Sequence, residues 1–194
     1  MVKFKDIMKK AKEMAEKAVD AVKMQWEFER LLSDFDEYVA NTIADILQNN
    51  GYRGMGQGEA GDSYRITMAI EDEEKVKHII ERDIMRHYSP KDREKILSKI
   101  PDRVEIYVTY TRKGTRSPIL TTTGPEDVKV SAKLYYFVER KGGFFSKVKR
   151  DERQVSLGGF TFRSSQFINA QERDIDADRL RQYLEQKLKG LGLI

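Results

Sequence analysis

From Ile7 to Ile46 the chain carries a seam at alternating steps of four and three: Ile7, Ala11, Met14, Ala18, Ala21, Gln25, Phe28, Leu32, Phe35, Val39, Thr42 and Ile46. Only Gln25 and Thr42 are polar. This near-3.5 period is the pattern helices use to pack on other helices. The first fifty residues hold no glycine and no proline, so nothing local forces the helix to end. A helix of about 45 residues would run roughly 70 Å at 1.5 Å per residue. A compact domain of this chain's length is only about 40 Å across. The helix therefore either breaks or protrudes and needs a partner. Ser33-Asp34-Phe35-Asp36 resembles a capping box and marks the place where a second helix would start.

The pattern then changes. Residues 49–62 hold five glycines and read as a loop. Tyr64–Ile70 alternates with period two, as a strand does. Residues 72–88 place Val76, Ile79, Ile80, Ile84 and Tyr88 on one helical stripe, behind an acidic first turn that suits the helix dipole. Ser89-Pro90 opens another helix, with Ser89 as cap and Pro90 in the first turn. Strands follow at Arg103–Arg112, Asp127–Glu139 and Gln154–Arg163, with a bulge at Gly158-Gly159 and a short edge strand at Ile119–Thr123. A last helix spans about Asp176–Lys189. The fold class is α+β: a long N-terminal helix, a largely antiparallel sheet of four to five strands, a middle helix pair and a C-terminal helix. The organisation read from this is a basic amphipathic arm, residues 1–32, on an α+β domain, residues 33–194.

Composition narrows the chemistry. There is no cysteine, which removes disulfides, thiolate metal sites and a Cys nucleophile and favours a cytoplasmic setting. No apolar run is long enough for a transmembrane segment. The net charge is +4, unevenly spread. Residues 1–24 carry seven Lys against four acids, residues 25–48 one Arg against six acids, and residues 101–194 eighteen bases against twelve acids.

No catalytic or cofactor motif stands up. Gly56-x-Gly58-x-x-Gly61 has the dinucleotide spacing, but a helix precedes it and a strand follows, the reverse of what pyrophosphate binding needs. Asp174, Asp176, Asp178 and Glu185 fit a calcium-loop spacing, but Arg179 stands where that loop requires glycine. His78 and His87 project from opposite sides of one helix and cannot share a metal. No cofactor and no metal are expected.

Interaction features are stronger. Arg140, Lys141, Phe144, Phe145, Lys147, Lys149, Arg150 and Arg153 form a basic, aromatic connection between two strands. Such a segment suits an anionic partner, since cations attract phosphate and Phe stacks on unpaired bases or enters a bilayer interface. Arg112, Lys113 and Arg116 end the preceding strand. They join the same patch if Ile119–Thr123 is a strand, and lie at the opposite end of the sheet if it is loop. Tyr107, Lys129, Lys133, Tyr135 and Phe137 share outward strand faces, an arrangement that resembles a base-stacking platform. Coverage of that face by the long apolar helix is the preferred alternative. Self-association is assigned to Ile7, Ala11, Met14, Ala18 and Ala21, giving a homo-oligomer built on a coiled coil. The expected function is a non-enzymatic interaction or assembly protein. The alternatives are a nucleic-acid-binding protein using the hairpin, an anionic membrane surface as partner, and a small enzyme with a pocket under residues 51–62.

Overall fold

The computed structural model describes residues 4–72, 74, 78, 81, 89, 91, 103–111, 127–140, 149–169, 172 and 174–194. It has the α+β architecture expected, with helix α1 at Phe4–Ser33 and helix α2 at Phe35–Gln48. Glu74, His78, Glu81 and Lys91 are helical in the middle region. The remainder of the middle helix pair, including His87, lies outside the described residues, as do residues 112–126 with the Ile119–Thr123 strand. The C-terminal helix, α3, spans Ala177–Gly190.

The junction of α1 and α2 is a one-residue break. Asp34 departs from helical geometry at φ −109, ψ 33, and its side chain makes no capping hydrogen bond. The backbone ladder nonetheless continues: Asp34 N donates to Arg30 O and Tyr38 N donates to Asp34 O, both at 3.0 Å. The Ser33-Asp34-Phe35-Asp36 signal therefore sits at a real irregularity of the helix. No left-handed residue is present to turn the chain, so the helix bends there and does not fold back.

Five strands form one antiparallel sheet in sequence order: β1 (Tyr52–Ala60), β2 (Ser63–Ile70), β3 (Arg103–Thr111), β4 (Asp127–Arg140) and β5 (Lys149–Arg163). Residues 51–62 are thus not a loop. They form β1 and a two-residue turn, with Ala60 opposite Ser63 and Gly61 at φ 67. The glycine count misled because edge strands tolerate glycine, and β1 also carries a register shift between Gly54 and Gly56. The reading of a mobile lid over a pocket loses its loop. Ile168–Asn169 and Asp174–Ile175 add a small two-stranded ribbon, β6 and β7.

Alternation decides which face of the sheet is covered. Tyr64, Ile66 and Met68 on β2, Val104, Ile106 and Val108 on β3, and Val128, Val130, Ala132, Leu134 and Tyr136 on β4 all point to one side and are buried. Against them α2 brings Phe35, Val39, Ala40, Ile43, Ile46 and Leu47, and α3 brings Leu180, Leu184 and Leu188. Burying each large aliphatic side chain contributes about 1.5–3 kcal/mol. Phe160, Phe162, Phe167 and Tyr183 close one end of this layer with ring centroids 5.2–6.3 Å apart. The Tyr52 hydroxyl donates to Leu193 O at 2.6 Å and ties the chain end to β1. The expected bulge is present, since Ala132 faces Gly158 while Lys133 faces Ser156.

Both helices lie on the same side of the sheet. The preferred expectation, that the long helix covers the Tyr107, Lys129, Lys133 and Tyr135 face, is therefore corrected: α2 packs on the opposite face. The apolar alternation of β2 to β4 offers one oily side only, and α2 takes it.

Candidate interaction surfaces

The seam described from the sequence changes character at Leu32. From Leu32 (9% exposed) through Ile46 its apolar members are part of the domain core. From Lys5 to Glu27 every residue of α1 is exposed except Gln25, which is half-buried. Ile7, Ala11, Met14, Ala18 and Ala21 are all in that exposed stretch. Large apolar side chains accompany them into solvent, from Ile7 at 54% to Met14 and Trp26 at 71% exposed. At 30 residues, α1 is about 45 Å long at 1.5 Å per residue. An apolar stripe of that length outside any core is a surface suited to a partner.

The basic hairpin is partly in view. Strands β4 and β5 pair to their ends, with Glu139 opposite Arg150 and Arg140 opposite Lys149. Strand β5 thus begins at Lys149, five residues earlier than the Gln154 start expected, so Lys149, Arg150 and Arg153 belong to a strand and not to the connection. Arg153 is exposed. Lys141, Phe144, Phe145 and Lys147 lie outside the described residues, as do Arg112, Lys113 and Arg116. The strand ends from which the two basic segments leave lie apart. Thr111, which precedes Arg112, pairs with Asp127 at the start of β4, whereas Arg140 is at its far end. Thirteen steps along β4 cover roughly 43 Å at about 3.3 Å per residue. Of the two arrangements considered, the strands give the one with the basic segments rooted at opposite ends.

On the outward sheet face the structure shows a network that outward-facing aromatics and lysines alone did not reveal. Glu105 is 6% exposed at its centre. Its Oε1 accepts from Arg103 Nε at 3.1 Å and its Oε2 from the Tyr107 hydroxyl at 2.5 Å. The Arg103 guanidinium also reaches Glu152 at 3.4 Å and lies 4.4 Å from the Tyr135 ring centroid. Lys133 Nζ sits 5.3 Å from the Tyr107 ring centroid. Burial by itself pushes the Glu105 carboxyl up. Hydrogen bonds from Tyr107 and Arg103, the Arg103 charge and the Tyr135 hydroxyl outweigh it and hold the group below its ordinary value. Burial, then the Tyr107 hydrogen bond and the Glu105 charge, push the Tyr135 hydroxyl up. The sequence signal for this network is Arg103-x-Glu105-x-Tyr107, three side chains on one face of one strand.

This network argues against a stacking platform. A base would have to displace Arg103 from Tyr135 and Lys133 from Tyr107. Phosphate would also meet the buried Glu105 carboxylate. Phe137, the remaining member of that platform, has no described side chain.

The acidic residues before α3 are structural. Asp176 caps the helix, its Oδ1 accepting from Arg179 N at 3.2 Å. Among the described residues no cluster of His and acids is placed to hold a metal ion. No described helix is long and apolar enough to cross a membrane. No protein-family model, curated protein or solved structure matches the chain.

Proposed function

We propose that this protein is a non-enzymatic interaction and assembly protein that self-associates through α1. One observation carries this reading: the apolar members of a single seam are core from Leu32 onward and solvent-exposed from Ile7 to Ala21. Covering that stripe removes several large apolar side chains from water. Small residues at Ala11, Ala18 and Ala21 suit close helix approach, since interaxial distance follows the side chains at the contact. Ala18→Glu tests the reading: it places a charge in the seam without touching the core and should convert an associated protein to monomer. Unchanged association in that variant would move the interface elsewhere.

The assembly also presents the β4–β5 hairpin, residues 140–153, to an anionic partner. Support comes from strand pairing that runs out to Arg140 opposite Lys149. A nucleic acid is the second reading, favoured by the basic residues of that segment and the adjacent Phe144-Phe145. A membrane surface is the competing use of α1. Trp26, the single Trp, reports on it: phosphatidylserine vesicles should leave its emission unchanged, and a blue shift would favour the membrane over self-association.

A further inference from the structure

We propose that Asn50 is a site of spontaneous deamidation and that the last turn of α2 sets its rate. Of the four asparagines, Asn41, Asn49, Asn50 and Asn169, only Asn50 precedes a glycine. The reaction is intramolecular. The Gly51 amide nitrogen loses its proton and attacks Asn50 Cγ. The bond from Cγ to Nδ2 breaks, and ammonia leaves with a proton taken from solvent. Water then opens the cyclic imide at either carbonyl, leaving an aspartate or an isoaspartate. A side chain on the attacking residue obstructs the approach, and glycine has none. Thr42, Asn50 and Ala170 stand in that place after the other three asparagines.

The folded chain holds Asn50 back from this reaction. Its backbone N donates to Leu47 O at 2.9 Å and its Nδ2 to Ile46 O at 2.8 Å, so both groups serve the last carbonyls of α2. Ile46 lies one turn back along the helix. The side-chain amide is thus turned toward the start of α2 and away from the Gly51 nitrogen that follows it. Gly51 is itself held at φ 86, with its carbonyl accepting from Glu71 N at 3.1 Å. Bringing Cγ to that nitrogen swings the amide off Ile46 O and rotates the Asn50–Gly51 backbone. That is a local opening of the helix end, and only the opened population reacts.

The product does not suit the place it inherits. A carboxylate only accepts, so it sets oxygen against Ile46 O where a donor stood. It also adds negative charge at the negative end of the α2 dipole, and the last turn of α2 has no basic residue. Asp72 is close by, since a Cβ on Gly51 would lie 3.8 Å from Asp72 Cβ. An isoaspartate also lengthens the main chain by a carbon just before the Tyr52–Ile70 pair that opens β1. Deamidation therefore loosens the joint between the core helix and the sheet.

Full-length protein is incubated at mildly alkaline pH, folded in buffer and unfolded in guanidinium chloride, and the asparagines are followed by peptide mapping. In denaturant the mass gain of an amide-to-acid change should appear at Asn50 ahead of Asn41, Asn49 and Asn169. In the folded protein the same conversion should be slower by about tenfold or more, because opening precedes it. Equal rates in the two conditions would overturn the control by α2. An Asn50 that stays intact in denaturant would overturn the site. Asn50→Asp stands in for the product and should melt below the wild type at neutral pH. The deficit should shrink as pH falls through the carboxylate range, because the protonated group donates again. An unchanged melt would overturn the role given to the bond from Nδ2 to Ile46 O.

Discussion

The Arg103 guanidinium lies 4.4 Å from the ring centroid of Tyr135, the residue directly opposite it on the neighbouring strand. The contact holds because Arg103 is anchored twice, by Glu105 and by Glu152. A cation over an aromatic face is attracted by the ring quadrupole, and the anchoring carboxylates keep it there. On the outward sheet face Tyr107 and Tyr135 are therefore engaged by Lys133 and Arg103 of the same face.

Removing the carboxylate that organises this face should destabilise the domain. Glu105→Gln loses the charge that both Arg103 and Tyr107 address, at an expected cost of about 1–3 kcal/mol. The pH dependence has a definite sign. The folded-state value of Glu105 is lowered from 4.5, so its contribution is present above that pH and lost as pH falls through the lower folded value. Urea denaturation of both proteins as pH falls below 4.5 measures it. The wild type should lose more stability than Glu105→Gln.

Tyr52 gives the opposite sign. Burial, then the Asp72 charge, push its hydroxyl above the ordinary value of 10. The folded state thus holds this proton more tightly than the unfolded chain, and the stabilisation is full below pH 10 and lost as pH rises. Tyr52→Phe leaves the Leu193 carbonyl without this donor and should cost about 1–2 kcal/mol at neutral pH. It should also lose less stability than the wild type between neutral and strongly alkaline pH in thermal melts.

The β4–β5 pairing depends on a glycine with no room for a side chain. A Cβ at Gly159 would lie 2.3 Å from the Val130 carbonyl oxygen. Backbone cannot swing away as a side chain tip can, so Gly159→Ala should cost about 1–3 kcal/mol. At Gly56 a Cβ meets nothing within 4 Å, and Gly56→Ala should change stability by less than about 0.5 kcal/mol. Chemical denaturation of the pair separates a steric requirement from a generic glycine effect.

If the hairpin engages nucleic acid, affinity for a single-stranded oligonucleotide falls steeply with salt, because phosphate contacts release counterions. Replacing Lys147, Lys149 and Arg150 together by Glu should abolish it in fluorescence anisotropy titrations. Binding that is insensitive to salt or survives the triple change would remove the hairpin from the account.

What the sequence revealed tracks what local pattern controls. The four-three seam gave the helices, and period-two alternation gave β2 to β4 with their inner faces. The break at Asp34 was visible as a polar cluster, but its form depends on how α2 docks. Strand β1 was hidden because Gly54, Gly56 and Gly58 carry no side chains to alternate; its partner strand β2 defines it. The Glu105 network was hidden because its buried acid looks, in sequence, like any outward strand position. Only cross-strand register brings Tyr135 and Glu152 to Arg103. Which face the helices cover was misjudged for a related reason. Alternation shows that two faces differ, and the larger apolar one captures α2.

Self-association through the exposed seam of α1 fixes the mass of the full-length chain in solution. Multi-angle light scattering over a range of protein concentrations should show a dimer, or a larger assembly, that dissociates on dilution and is absent in Ala18→Glu. A monomer of 22.6 kDa at every concentration would contradict it.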